Sequence, residues 1–216
     1  MSFPPEPWYL GGSLLVSVFR VPTADLPPEF AVGPKPLRLG RSTLVGTAFA
    51  RYRPGGVLSY DELLVSTPTL EGGRPRVTIP QIWVDSPESR DGGSALWGIP
   101  KQLGVFTRVE TADAASVSMT VGDGPVASLR ARSRRAILPG MRQVALPILQ
   151  SGVAAGGTRS ERILSHNRVI GRMRWMSASW TFDAHGPLGY LAGHRPFASF
   201  ALGDASIIFG MDVQRP

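Results

Sequence analysis

The sequence predicts a mainly β fold, an antiparallel barrel or sandwich with small helical insertions. The 25 glycines and 20 prolines repeatedly interrupt the apolar segments, which favours short strands joined by turns over long helices. Residues 47–52 and 116–121 alternate between apolar and small or polar side chains, as strands with one buried face do. A length of 216 residues is ordinary for one barrel, so we expect a single domain over residues 1–216.

About ten segments have the composition and length of strands. They are residues 14–20, 42–52, 58–66, 77–85, 104–110, 115–121, 126–133, 143–149, 162–170 and 172–182. The segment 122–125, Gly-Asp-Gly-Pro, is typical of a hairpin turn, and residues 151–158, rich in Gly and Ala, are predicted to form a loop.

Two segments have helical signals. Ser86 is a candidate N-cap, with Pro87 at the first helical position and Glu88 in the first turn, whereas Gly92 and Gly93 argue against a long regular helix. Residues 187–193 predict one or two helical turns before a proline.

Composition narrows the class of protein. No apolar run approaches the roughly 20 residues of a membrane helix, and the N-terminal residues lack the pattern of a secretory signal, so no membrane partner is expected. The chain has no cysteine, which excludes disulfides and favours a reducing, cytoplasmic location. His166, His185 and His194 are scattered without ligand spacing, so we expect neither a metal nor another cofactor.

The net charge of +7 raises the possibility of nucleic-acid binding. The densest basic group is Arg130, Arg132, Arg134 and Arg135, and the first three alternate along a predicted strand. We interpret them as one solvated face of the barrel, and no nucleic-acid-binding motif accompanies them. Nucleic acid is therefore not the expected partner.

Lysine is scarce, because only two of the 23 Lys and Arg residues are lysines, Lys35 and Lys101. Lys35 lies in a Pro-rich loop and is expected to be solvated. Lys101 follows the apolar stretch 96–100 and is expected where a short helix or turn leads into the next strand. An amine held in a dry environment loses solvation of its charged form and becomes a better nucleophile towards a carbonyl carbon.

The order of residues around Lys101 resembles the acetoacetate decarboxylase family. The matching motifs are Tyr60-Asp61-Glu62, Ile82-Trp83-Val84-Asp85, Gly93, and the run from Trp97 to Gly104 with its Pro100-Lys101 pair. Residues 186–200 and 209–210 also look like bacterial members, so the similarity extends over most of the chain from about Val21.

The resemblance implies a cone-shaped β-barrel with an internal pocket, a homo-oligomeric assembly, Lys101 as the lysine that forms a Schiff base, and Glu62 as the pocket carboxylate. Some positions depart from the family pattern. Gln102 replaces a second lysine, and Ser94 and Ala95 replace an Arg-Glu pair on the helix. By ungapped alignment, Ser13 and Thr47 replace an arginine and a glutamate on the first two strands, which argues against decarboxylation of acetoacetate itself.

The preferred hypothesis is a Schiff-base lyase, of decarboxylase or aldolase/dehydratase type, that acts on a small oxo acid or ketone. Lys101 would be the nucleophile, Glu62 would move protons, and Gln102 would donate hydrogen bonds to the substrate. Tyr60, Trp83 and Trp97 would shape the pocket, although aromatic residues on strands are often plain core. The alternative is a barrel that binds an apolar or polyketide-like ligand without an imine, as a carrier or a cyclase.

Overall fold

The fold was analysed in a computed structural model, which describes residues 3–137, 139–153 and 160–215. The strands are β1 Trp8–Pro22, β2 Ser42–Arg53, β3 Tyr60–Glu71, β4 Arg74–Val84, β5 Lys101–Leu103, β6 Val105–Glu110, β7 Ala114–Val121, β8 Gly124–Ala136, β9 Arg142–Val153, β10 Ser160–Phe182 and β11 Ala198–Gln214. One α-helix, α1, spans Pro87–Trp97, and short 3-10 helices span Thr23–Asp25, Pro28–Ala31 and Gly189–Leu191.

Seven strands close into a barrel, as the sequence predicted. The order is β11, β1, β2, β3, β4, β9 and β10, and β10 pairs again with β11 to close the ring. All of these pairings are antiparallel except the contact of β4 with β9, where Val77 pairs with Ile148 in the parallel sense. Strands β8, β7 and β6 extend the sheet from β10 beyond the barrel, and β5 adds a short parallel strand to β4.

Buried apolar side chains form two clusters, which strand alternation separates. One cluster contains Trp8, Tyr52, Tyr60 and Trp97 and lies inside the barrel. All seven barrel strands contribute side chains to this interior. The other, which includes Phe19, Phe49 and Trp83, packs against residues of the extension β6–β8. The two faces of β2 and β3 therefore have different neighbours, and only one of them meets the barrel interior.

Several sequence predictions are confirmed. Residues 121–124 form a tight turn between β7 and β8, with Gly122 at φ +56°. The four clustered arginines of β8 are exposed, as is Lys35. A 3-10 turn forms at Gly189–Leu191 within the predicted segment 187–193. The loop predicted over 151–158 is described only at its start, where β9 continues to Val153; residues 154–159 lie outside the described residues.

Two strand predictions are wrong in extent. The segments 162–170 and 172–182 form one continuous strand, β10, in which Gly171 pairs with Arg142 of β9. Packing and not a turn requires glycine at this position, since a Cβ atom on Gly171 would lie 2.7 Å from Leu202 Cγ. The sequence analysis also missed β11, whose glycines and aspartates resemble turn residues. Asp204, Gly210 and Asp212 adopt positive φ angles within β11, and the pairing of β11 with β1 and β10 contains register shifts typical of β-bulges.

The helix α1 is longer than expected from the presence of Gly92 and Gly93. Ser86 is its N-cap and accepts a hydrogen bond from Ser89 N, as expected, but the helix continues through Gly92 and Gly93 to Trp97. Both glycines are required by packing. A Cβ atom on Gly92 would lie 2.6 Å from the Trp8 ring, and one on Gly93 would lie 2.7 Å from the stem of Lys101. No helix of the described residues is long and apolar enough to cross a membrane.

The close approach of β1 to β2 predicts a position that does not tolerate a side chain. A Cβ atom on Gly12 would overlap the carbonyl oxygen of Arg51, so Gly12→Ala should lower the free energy of unfolding by about 1–3 kcal/mol. Gly203→Ala in β11 is the matched control, because no atom lies within 4 Å of its added Cβ, and it should change stability by no more than about 0.5 kcal/mol. Urea unfolding measures both, and equal midpoints would contradict the close approach.

Candidate active site

A cavity of about 160 Å³ lies inside the barrel. Each of the seven barrel strands contributes at least one lining residue, and α1 and β5 contribute Trp97 and Lys101. Most of the lining is aliphatic or aromatic. The polar lining residues are Tyr52, Tyr60, Glu62, Ser66, Lys101 and Asn167.

Lys101 is the centre of the polar part of the cavity. Its side chain is only 5% exposed, and Nζ lies 3.1 Å from Glu62 Oε2, whose side chain is 4% exposed. Nζ also donates to Ser89 Oγ at 2.9 Å and to Tyr60 Oη at 3.5 Å. A buried ion pair with no further partners would be costly to desolvate, and these contacts offset that cost.

The end of α1 positions the lysine. Gly98 adopts the left-handed conformation with φ +63°, and the N–H groups of Gly98 and Ile99 donate to the carbonyls of Ser94 and Gly93. The chain then enters β5, which confirms the predicted place of Lys101 after a helix. Lys101 pairs with Ile82 of β4, and its stem runs over Gly93, where only a glycine leaves room.

Two tyrosines border the carboxylate. Tyr52 Oη donates to Glu62 Oε1 at 3.2 Å, so each carboxylate oxygen has one partner. Burial raises the pKa of Tyr52 well above its ordinary value, and the charge of Glu62 raises it further. Burial and the same charge also raise the pKa of Tyr60. Both phenols therefore keep their protons at neutral pH. The Tyr60 ring also lies under the amine, with Nζ 5.1 Å from its centroid.

Alternation along β3 separates Glu62 from its neighbour Asp61. Tyr60 and Glu62 line the cavity, whereas Asp61 meets Arg108 at 3.0 Å on the other face. Burial raises the pKa of Asp61, and the charges of Arg108 and Arg51 partly offset this rise. Asp61 is thus part of an outer charge network and has no access to the lysine.

The structure brings together four of the six residues singled out in the sequence. Lys101, Glu62, Tyr60 and Trp97 all line the cavity, and Trp97 packs edge-on against Trp8 with ring centroids 4.8 Å apart. Their chemical roles remain predictions.

The other two predicted pocket residues, Trp83 and Gln102, do not line the cavity. They form a pair across β4 and β5, directly after the pair of Ile82 with Lys101. Because successive strand residues face opposite sides, this pair points away from the cavity. Trp83 packs in the outer cluster and Gln102 is exposed to solvent, so neither lies where the sequence analysis expected it, at the cavity that holds Lys101.

Sequence reasoning missed three residues that contact the site. They are Ser89, whose hydroxyl accepts from Lys101, Tyr52, which holds Glu62, and Trp8, whose ring centroid lies 5.9 Å from Lys101 Nζ. For Ser89 a signal existed, since it lies one helical turn before Gly93, whose missing side chain makes room for the lysine. The separation of Tyr52 and Trp8 from Lys101 along the chain left no local signal.

The geometry defines a β-barrel protein that holds one lysine and one carboxylate in an apolar internal cavity. The chain belongs to the acetoacetate decarboxylase family, because the model of the family described as Acetoacetate decarboxylase (ADC) matches residues 14–184. No curated protein sequence matches the chain.

Solved structures share the fold at low sequence identity. An acetoacetate decarboxylase structure superposes with a TM-score of 0.78 at 17% identity, covering 99% of this chain and 91% of that chain. The Legionella pneumophila acetoacetate decarboxylase gives 0.76 at 14%, covering 100% and 89%. The enduracididine biosynthesis enzyme MppR in complex with pyruvate gives 0.70 at 18%, covering 99% and 91%. These relatives confirm the fold that the sequence predicted.

The buried phenols predict a loss of stability at alkaline pH. The unfolded chain releases tyrosine protons near pH 10, while folded Tyr52 and Tyr60 retain theirs, so the free energy of unfolding should fall as pH rises above about 10. Each phenol contributes up to about 1.4 kcal/mol per pH unit to this fall. Urea titrations over a pH series should show a shallower fall for Tyr52→Phe. Tyr9→Phe, which removes an exposed phenol, should retain the wild-type slope, and equal slopes for both variants would contradict the assignment.

Proposed function

We propose that this protein is a Schiff-base-forming lyase, of decarboxylase or aldolase/dehydratase type, that acts on a small oxo acid or ketone through Lys101. The observation that carries the proposal is the enclosed amine, whose Nζ lies 3.1 Å from the carboxylate of Glu62 in an apolar cavity. Membership of the family and the pyruvate complex of MppR support a carbonyl substrate.

The Lys101–Glu62 pair can supply and take up every proton that imine formation requires. Transfer of one proton from Nζ to Glu62 Oε2, over 3.1 Å, leaves a neutral amine without changing the net charge of the cavity. The nitrogen lone pair then attacks the carbonyl carbon, and the carbonyl oxygen takes a second proton from the nitrogen. This hydroxyl leaves as water with the proton held by Glu62. The products are a protonated imine on Lys101, a carboxylate at Glu62 and one water.

The protonated imine withdraws electrons from the carbon next to it, so a bond to that carbon can break and leave its electron pair in an enamine. Decarboxylation, retro-aldol cleavage and dehydration all use this electron sink. Glu62 is the proton carrier in each case, held in place by Tyr52. Ser89 and the Tyr60 ring face the nitrogen and favour its positive charge, since a hydroxyl oxygen and a ring face both attract a cation.

Borohydride reduction tests the imine directly. Incubation with pyruvate or acetone and borohydride should add a stable mass to the peptide that contains Lys101, because reduction converts the imine into a secondary amine. Peptide mass spectrometry measures this addition. Lys35, the only other lysine, is exposed and serves as the internal control in the same sample. Equal modification of both lysines, or none at Lys101, with pyruvate and with acetone alike would overturn the proposal.

Glu62 should control the rate of imine formation. In Glu62→Gln the amide cannot accept the lysine proton, so the rate of reductive labelling at Lys101 should fall by about 10²–10⁴. The control Glu29→Gln removes an exposed carboxylate outside the cavity and should leave the rate unchanged. Quenched-flow labelling followed by mass spectrometry gives both rates. An unaltered rate in Glu62→Gln would assign proton transfer to another group.

A second function is favoured by the apolar lining. Away from the lysine, β4, β9 and β11 contribute only aliphatic or aromatic side chains to the cavity, which suits a carrier or a cyclase that acts by shape without an imine. The variant Lys101→Met separates the two functions. It should abolish an imine-dependent activity, whereas a carrier or shape-directed cyclase would still bind its ligand.

A further inference from the structure

We infer that the substrate of this cavity is an uncharged aldehyde or ketone with a short apolar substituent, and not an oxo acid. This inference rests on the proposed function of Lys101 and narrows its substrate class. It is carried by the distribution of charge around the cavity.

Only two of the described residues that line the cavity carry a charge, Lys101 and Glu62, and they neutralise each other at 3.1 Å. Within residues 3–137, 139–153 and 160–215 no arginine lines the cavity, although the chain is rich in arginine. Arg108 is buried, with its side chain 2% exposed, but it is paired with Asp61 and Glu110 on the opposite face of the sheet. A substrate carboxylate would find no free cation among the described lining residues and would be repelled by Glu62.

The first two strands supply no cation to the cavity. Ser13 of β1 and Thr47 of β2 do not line it. The residues of β1 and β2 that do are Trp8, Leu10, Leu14 and Tyr52. An unpaired carboxylate in such surroundings keeps the full penalty of its lost solvation.

Two of the remaining polar lining residues are already hydrogen-bonded within the protein. Asn167 Nδ2 donates to the carbonyls of Leu146 and Ser165, and its Oδ1 accepts from Gly210 N. Ser66 Oγ faces the carbonyl of Gly46 at 3.5 Å. Trp97, which also lines the cavity, has a buried indole N–H with no hydrogen-bond partner among the described residues. The groups that can meet a ligand carbonyl are therefore those around Lys101, on β2, β3, β5 and α1.

Apolar side chains line the part of the barrel formed by β4, β9, β10 and β11. They are Val77, Ile79, Ile82, Leu146, Ile148, Val169, Ile207 and Phe209. The cavity volume of about 160 Å³ is similar to that of a cavity of roughly 150 Å³ that holds a benzene molecule. The site therefore fits a carbonyl group at Lys101 attached to a substituent of about four to six carbons.

This substrate also selects the reaction. A ketone without a carboxylate cannot lose carbon dioxide, so the imine acts on a neighbouring C–H or C–C bond. In the simplest step the C–H bond next to the imine breaks and its electron pair forms the C=C bond of the enamine. The C=N bond becomes a C–N bond, and Glu62 takes the proton. Return of a deuteron from heavy water would then exchange that position.

The test compares butyl methyl ketone with the oxo acid in which a carboxylate replaces its methyl group, with acetone and pyruvate as the short pair. Borohydride labelling at Lys101, divided by labelling at Lys35 in the same sample, corrects for the intrinsic reactivity of each carbonyl. We expect this ratio to be at least about 100-fold higher for the ketone than for its oxo acid. It should also be higher for butyl methyl ketone than for acetone. NMR should show exchange of the ketone's neighbouring protons in heavy water, which Lys101→Met abolishes.

Three outcomes are distinguishable. Preferential labelling by the uncharged ketone supports the inference. Labelling of Lys101 by the oxo acid as readily as by the ketone overturns it and leaves the Schiff-base function intact. Labelling of Lys101 no greater than that of Lys35 by any of the four compounds overturns the proposed function and, with it, the inference. All labelling measurements use the wild-type chain, so these three outcomes do not depend on the folding of a variant.

Discussion

The buried pair of Lys101 and Glu62 is the interaction on which the rest of the site depends. Two opposite charges can remain inside an apolar barrel only if each is paired and hydrogen-bonded, and here Ser89 and Tyr52 supply the additional contacts. The same pair explains the absence of a side chain at Gly93, because the lysine stem fills that space. In the proposed function the pair also provides the proton transfer that a reactive amine requires, with no change in the net charge of the cavity.

Strand alternation keeps two kinds of electrostatics apart. On β3, Glu62 faces the cavity and Asp61 faces the outer network of Arg108 and Glu110. The many arginines of this basic chain therefore contribute to its outer surface and to outer ion pairs, while the cavity stays electrically balanced. A single layer of β-sheet is sufficient for this separation, since neighbouring residues of a strand point to opposite sides. From this balanced interior we infer an uncharged carbonyl substrate.

Membership of the acetoacetate decarboxylase family and the apolar cavity are compatible. The barrel superposes on solved relatives at 14–18% identity, so the backbone framework is retained while most side chains differ. The imine proposed for Lys101 needs an apolar cavity and one carboxylate close to the amine, and both are present. Recognition of a substrate carboxylate is a separate requirement that depends on a fixed cation. A substrate without a carboxylate is therefore compatible with the proposed lysine chemistry, because the two requirements use different side chains.

Composition and alternation alone determined the mainly β class, most strands and the N-cap of α1, because these follow from local periodicity and turn chemistry. The scarcity of lysine and the family motif also directed attention to Lys101, Glu62 and Tyr60. Only the tertiary structure decided which face each strand turns inward, which removed Trp83 and Gln102 from the site, because a shift of one residue reverses the orientation of a strand side chain. It also revealed Tyr52, Ser89 and Trp8, and the bulged strand β11, whose pairing depends on residues distant in the chain. The contacts of Tyr52, Trp8 and β11 form only when the barrel closes, so no local pattern in the sequence encodes them, whereas Ser89 had a local signal in its position one helical turn before Gly93.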